Sequence, residues 1–309
     1  MNVITSPVVV GVDGTAANRG ALRYAVEESR RAGSTLKLVH VVPDYVPISP
    51  FMPVTPGDLT DTGTQVLSNV EDAVREIDPG VAFEGWLHHG SRSTELIKAA
   101  ENAGMLVVGR DDRPVLYRLV DGDTATRTAA RAPVPVVEVP ASWHDDPGAP
   151  ERHAVVVGVK SAAHADELLG HAFAIADARS ARVVVVHAWK LPSAYDDIIE
   201  SRIALEQCER EGAAEMETLL HDWRVAFPAV EVEVRVVHDH AARALVEASR
   251  EADLVLVVRR AHGVPAAAHL GGTARAVLRG AECPVMVVPP SVVPELPDLV
   301  LEAGGQIRK

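Results

Sequence analysis

Residues Val107–Val139 read V-V-G-R-D-D-R-P-V-L-Y-R-L-V-D-G-D-T-A-T-R-T-A-A-R-A-P-V-P-V-V-E-V. An apolar run from Met105 to Val108 ends at Gly109. A charged segment follows and closes on Gly122-Asp123-Thr124. Ala125 to Arg131 suits a helix, and Val134 to Val139 is a second apolar run. The order is strand, loop, helix, strand. A loop with a glycine at each end, opening into a helix, is a place where backbone N–H groups can meet an anion.

Working outward, the same alternation fills the chain before this stretch. Val8 to Val12 is an apolar run that ends at Asp13-Gly14-Thr15. A helix follows, with Ala21, Leu22, Ala25 and Val26 at helical spacing, and Gly33-Ser34 ends it. Leu36 to Val42 is a second strand. Pro43 to Gly63 is rich in proline and is expected to be a long loop, with a helix only from Gln65 to Ile77. Val81 to Leu87 is a third strand, and Ser91 to Asn102 a helix.

The pattern then repeats. Val9-Val10-Gly11-Val12 matches Val156-Val157-Gly158-Val159 (156 − 9 = 147). Leu96-Ile97 matches Leu245-Val246 (245 − 96 = 149), Gly122 matches Gly272 (272 − 122 = 150), and Pro135-Val136 matches Pro284-Val285 (284 − 135 = 149). So small a drift over half a chain means one domain duplicated, and a repeat fixes architecture better than local propensity does. Residues 1–142 are the first domain, 143–152 a linker, 153–290 the second domain and 291–309 a tail. In the second half, strands are expected at His153–Val159, Arg182–Trp189, Val230–Val237, Leu254–Val258 and Val285–Val288. Helices are expected near Ala163–Ala178, within Tyr195–Ala226, and at Ala241–Arg250 and Gly272–Arg279. Strands alternating with helices predict α/β architecture: two tandem, doubly wound, five-stranded parallel-sheet domains.

Composition agrees. Hydrophobic residues make up 47% of the chain but aromatic ones only 4%, and Val-rich short runs suit a parallel sheet buried on both faces. A net charge of −13 argues against sequence-independent nucleic-acid binding and against an anionic membrane. No run is long enough to span a bilayer, and no charged region followed by an apolar one opens the chain, so neither a membrane anchor nor a signal peptide is expected. Cys208 and Cys283 have no metal-type spacing, which fits reduced thiols in the cytoplasm.

The chain resembles the universal stress protein family in its tandem bacterial form. The resemblance rests on V-V-V-G-V-D-G-T at 8–15, L-V-H-V-V at 38–42, the glycine pair at 109 and 122, A-P-V-P-V-V at 132–137 and C-P-V-M-V-V at 283–288. It implies an adenine nucleotide α-hydrolase-like fold and a stress-response regulatory or interaction role. It makes ATP the candidate ligand, held by an Asp after the first strand and a loop of the form G-x2-G-x9-G-[S/T]. Carried over, the nucleotide residues are Val12, Asp13, Gly14, Thr15, Val41, Val108, Gly109, Arg110, Gly122, Asp123, Thr124 and Ala125. The sequence departs at Asp112, where the second glycine belongs, and at Asp123, where Ser or Thr belongs. In the second half Lys160 replaces the Asp, Arg259 the first glycine and His262 the second, leaving Arg259, Gly272 and Thr273 as a weaker site.

The two loops depart in opposite electrostatic directions. Asp111, Asp112, Asp121 and Asp123 surround the first, with Arg110, Arg113 and Arg118 offsetting three of them. A triphosphate there requires Mg²⁺ as a bridge to a carboxylate. The second gathers Arg259, Arg260, His262 and His269. Each candidate also has a plain structural reading. Asp13 holds adenine or caps the helix near Ala16. The glycines shape a ligand loop or an ordinary turn. His88-His89 and His238-Asp239-His240 ligate a metal or are polar turns. No Ser-x-x-Lys, Gly-x-Ser-x-Gly, Walker or His-Glu-x-x-His pattern is present, which leaves at most a slow ATP hydrolase using Mg²⁺ at Asp112 or Asp123. A nucleotide-free scaffold is the alternative. The fifth strands, Val134–Val139 and Val285–Val288, are edges that need cover. The resemblance implies that they pair within the chain as a pseudo-dimer and that two chains form a homodimer.

Overall fold

The computed structural model describes residues 6–44, 55–110, 124–143, 152–162, 165–190, 202–259 and 270–290. The first half contains β1 (Val8–Val12), α1 (Arg19–Ala32), β2 (Leu36–Val42), α2 (Pro56–Ile77), β3 (Phe83–His89), α3 (Arg92–Ala99), β4 (Met105–Arg110), α4 (Thr124–Arg131) and β5 (Val136–Pro140). The second contains β6 (Ala154–Gly158), α5 (Ala165–Arg179), β7 (Arg182–Trp189), α6 (Arg202–Ala226), β8 (Val232–His238), α7 (Ala241–Ala248), β9 (Leu254–Val258), α8 (Gly272–Gly280) and β10 (Val285–Val288).

The ten strands form one sheet in the order β3-β2-β1-β4-β5-β10-β9-β6-β7-β8. Pairing is parallel within each half. At the centre β10 runs antiparallel to β5, with Val285 opposite Glu138, Met286 opposite Val137 and Val287 opposite Val136. The sheet therefore passes through both halves without a break, and the two are related by a pseudo-two-fold at β5/β10.

Alternate strand residues face opposite sides, so each face carries its own apolar layer. One layer gathers Val8 and Val10 with Tyr24, Val74, Leu169, Phe173 and Met216 from α1, α2, α5 and α6. The other gathers Val9 and Leu106 with Leu96, Ala129, Leu245 and Val277 from α3, α4, α7 and α8. Both layers span the two halves. A second junction lies on the first face. The Arg179 guanidinium at the end of α5 donates to the Tyr24 hydroxyl at 2.8 Å and meets the Glu28 carboxylate at 3.0 Å, both on α1. Trp143, just after β5, packs edge-on against the Tyr24 ring at 5.2 Å.

One boundary differs clearly from the sequence expectation. α2 starts at Pro56, not Gln65. The Thr55 hydroxyl accepts the Asp58 N–H at 3.2 Å, while the Asp58 carboxylate accepts the Thr55 N–H at 2.7 Å. This is a capping box with proline at the first helical position, where its missing N–H costs nothing. Those bonds hold the Asp58 carboxyl below its ordinary range. The proline that read as a loop is the start signal of the helix.

Candidate functional site

In a doubly wound sheet the ligand crevice lies beyond the carboxyl ends of the strands, where strand order reverses. That point falls between β1 and β4 in the first half and between β6 and β9 in the second. Val12, Val41 and Val108, at or near the ends of β1, β2 and β4, are buried, Val41 and Val108 in the layer under α3 and α4 and Val12 in the layer on the opposite face. Ala125 in the first turn of α4 is buried as well. Asp13, Gly14 and Thr15 follow β1 and stand exposed. Gly122 and Asp123 lie outside the described residues, as do Asp111, Asp112, Arg113, Arg118 and Asp121. Thr124 opens α4 and is half-buried.

Asp13 shapes the turn. One carboxylate oxygen accepts both the Thr15 N–H at 2.9 Å and the Thr15 hydroxyl at 2.8 Å, an Asx turn. Gly14 supplies the left-handed residue that the turn requires, at φ 73°. A short 3₁₀ turn, Ala16–Asn18, then leads into α1. The Asn18 side chain donates to the Gly11 carbonyl at 3.1 Å, fixing this turn against the end of β1. Gly109 makes the close approach possible: a Cβ there would lie 2.9 Å from Asn18 Nδ2 and 3.1 Å from the Ala17 carbonyl oxygen. Packing by itself is enough to favour glycine at this position. Gly272 differs. A Cβ on it would meet nothing within 4 Å, and its neighbour Gly271 flanks α8 with an ordinary φ of −61°. Thr273 beside it is exposed. In the second half, Lys160 is exposed after the buried Val159.

A repeated histidine also shapes both crevices. His40 Nδ1 donates to the Val12 carbonyl at 2.7 Å, and His187 Nδ1 to the Val159 carbonyl at 3.1 Å. Each bond ties the end of the central strand to its neighbour, just where the turn toward the crevice begins. The signal was available in the sequence, since both histidines sit in the second strand of their half at the repeat offset (187 − 40 = 147).

Arg110 and Arg259, both among the expected ligand residues, are engaged elsewhere. Arg110 closes β4 and sends its guanidinium across the β5/β10 junction. There it donates to the Leu278 carbonyl at 2.8 Å and the Ala281 carbonyl at 2.6 Å, at the end of α8. Its Nε lies 4.0 Å from the buried Glu138 carboxylate. Arg259 follows β9 and does the reciprocal. It donates to the Ala129 carbonyl at 3.3 Å and the Ala132 carbonyl at 2.9 Å, at the end of α4. The last carbonyls of a helix lack intrahelical donors, and a cation there also suits the helix dipole. Burial works against the Arg259 charge and lowers its pKa.

The histidine pairs make no metal centre: among the described residues no group of three or more His, Cys, Asp or Glu could hold an ion. His88 Nδ1 lies 3.4 Å from Glu95, which also binds Lys98 at 2.7 Å. The His238 ring packs on Trp189 at 4.4 Å, and His240 Nε2 lies 3.3 Å from Lys190 Nζ. A groove of about 310 Å³ runs between β8 and α7. Its charges pair with one another, Arg235 with Glu251 at 3.2 Å and Arg243 with Asp239 at 2.8 Å. It lies off the strand-order switch. Among the described residues no helix is long and apolar enough to cross a membrane.

Comparison with known proteins agrees with this architecture. The pattern of the universal stress protein family matches residues 5–140 and again 151–289. A universal stress protein of Mycolicibacterium smegmatis is 28% identical over 290 residues, 92% of this chain and 97% of the relative. The crystal structure of a universal stress protein from Archaeoglobus fulgidus superposes with a TM-score of 0.67 at 16% identity, covering 93% of this chain and 97% of that one. A universal stress protein solved in complex with cAMP aligns with 44% of this chain and 98% of its own, at 21% identity and a TM-score of 0.34. With two copies of the family pattern in sequence, and two doubly wound halves sharing one sheet, the chain belongs to the universal stress protein family.

Proposed function

We propose that the protein is a stress-response regulatory component that binds an adenine nucleotide in its first half, at the carboxyl ends of β1, β2 and β4. One observation carries this reading. Asp13 is exposed at the strand-order switch, at the carboxyl end of β1, with Val12, Val41 and Val108 buried at or near the ends of β1, β2 and β4. A purine site combines apolar surroundings with a few well-placed polar groups, and apolar strand ends with an exposed carboxylate beside them suit that requirement. The family resemblance supplies the ligand class, and the cAMP complex is a family member that holds such a ligand. ATP with Mg²⁺ is the candidate form, the cation bridging phosphates to the acidic loop. In the second half Lys160 stands where Asp13 does, so Gly272 and Thr273 with α8 offer only an anion contact there.

Calorimetry tests this with ATP and Mg²⁺ on the native protein and on Asp13→Ala. Binding heat that Asp13→Ala abolishes is the expected result; no heat from the native protein refutes it. A nucleotide-free scaffold is the second reading. It is favoured by Gly109, whose glycine is explained by its contact with Ala17 and Asn18 without any ligand. Nucleotide found by mass spectrometry in the freshly purified protein excludes that reading.

A further inference from the structure

We propose that Arg110 and Arg259 make the two halves energetically dependent on each other, each acting as a positioning residue for the last helix of the opposite half. The two contacts are copies. Arg259 is Arg110 one repeat on (259 − 110 = 149), and their acceptors obey the same offset, Leu278 to Ala129 (278 − 129 = 149) and Ala281 to Ala132 (281 − 132 = 149). Followed along the chain, the contacts close a ring. β4 ends in Arg110, and the next described element is α4. The end of α4 is held by Arg259, which follows β9. The next described element after β9 is α8, and the end of α8 is held by Arg110.

The ring links the crevices. Gly109, next to Arg110, and Thr124 and Ala125, in the first turn of α4, border the first-half site. Gly272 and Thr273 open α8 in the second. A helix seated at its C-terminal end by a guanidinium has two arrangements, carbonyls held or carbonyls released to water. A ligand that needs the first turn of α4 in place binds better when Arg259, from the other half, is seated. That difference in affinity between arrangements is what coupling requires. The two locks are unequal. Arg110 has the Glu138 carboxylate nearby on β5, whereas the equivalent position on β10 is Val287 (138 + 149 = 287). The Arg259 lock, without that counter-charge, is the one expected to open first.

The ligand part rests on nucleotide binding in the first half, and the test separates the two. Full-length native protein, Arg259→Met, Arg259→Lys, Arg110→Met and the double Arg110→Met/Arg259→Met variant are titrated with ATP and Mg²⁺ and unfolded in urea. Arg259→Met is expected to weaken ATP binding roughly tenfold, within the usual range of site-to-site coupling, although Arg259 belongs to the other half. Arg259→Lys, able to reach one carbonyl, is expected to recover part of the loss. In unfolding, the double variant is expected to lose less than the two single losses combined, because opening one lock already loosens the ring. Unchanged ATP affinity in Arg259→Met, or strictly additive stability losses, overturns the proposal. If the native protein binds no ATP, the nucleotide reading falls, and additivity alone decides the coupling.

Discussion

Replacing Arg179 by Met tests how strongly the two halves are joined on the face away from α4 and α8. The guanidinium and the Glu28 carboxylate are each only 10% exposed and lie 3.0 Å apart, and the Tyr24 hydroxyl accepts a second bond at 2.8 Å. Arg31 also contacts Glu28. Burial disfavours the Arg179 charge, but Tyr24 and Glu28 outweigh that cost and raise its pKa. Removing one member of a buried pair costs about 3–5 kcal/mol when the other is left uncompensated; Arg31 remains beside Glu28, so the loss expected here is about 2–3 kcal/mol. For a chain this long, unfolding as one unit, that is a fall in Tm of roughly 3–5 °C. Tyr24 gives a second readout. Burial raises its hydroxyl to about 12, with Arg179 pulling the other way. A folded-state pKa raised above the unfolded value of 10.0 means that stability is fully present below pH 10 and is lost as pH rises toward 12. In Arg179→Met the opposing charge is gone, so the phenolate appears at still higher pH. Differential scanning calorimetry gives the first number and ultraviolet phenolate absorbance the second. A loss below about 1 kcal/mol is what an exposed pair gives and would refute the argument. So would a Tyr24 titration unmoved by the substitution.

Two further outcomes follow from single groups. Gly109→Ala places a Cβ 2.9 Å from Asn18 Nδ2 and 3.1 Å from the Ala17 carbonyl, so it is expected to cost about 1–3 kcal/mol by overpacking, with or without nucleotide; urea unfolding measures it, and a neutral result removes the packing reason for the glycine. Cys283 is buried, and burial pushes its thiol up to about 12, whereas Cys208 on α6 is partly exposed. Alkylation of the folded protein is therefore expected to modify Cys208 well before Cys283, and mass spectrometry showing comparable rates contradicts the burial of Cys283 ahead of β10.

The doubly wound architecture was legible because valine runs flanked by turn residues mark buried parallel strands, and the duplication marked each of them twice. That the ends of β1, β2 and β4, with Val12, Val41 and Val108, lie side by side follows from that topology. The start of α2 was misread for a physical reason: Pro56 is compatible with both a loop and the first turn of a helix. Thr55 and Asp58, three residues apart, decide between them. The role of Gly109 was half legible. Its conformational freedom was plain, but its close approach to Ala17 and Asn18 depends on how the turn before α1 folds back over β4. His40 and His187 carry a repeat signal (187 − 40 = 147), but a histidine inside an apolar strand reads as core and not as a tie between strand ends.

Arg110 and Arg259 were illegible for a deeper reason. Counted along the chain, Arg110 is the last residue of β4 and Arg259 the first after β9, both at strand ends that face the crevice, and a cation there reads as an anion ligand. Their acceptors lie 168 and 171 residues away for Arg110, and 130 and 127 for Arg259. Such separations become contacts only because β5 and β10 run side by side in opposite directions, which brings the last helix of each half to the end of the other half's fourth strand. The charge count around each loop must change accordingly. With Arg110 engaged on α8, fewer cations offset the acids of the first loop, and Mg²⁺ matters more for any phosphate there. With Arg259 engaged on α4, the second loop keeps Arg260, His262 and His269 but loses the cation nearest β9. Arg110, read as part of the first-half site, and Arg259, read as part of the weaker second-half site, form instead the two ends of one clasp. Under the coupling proposed above, nucleotide affinity in the first half is expected to depend partly on the second.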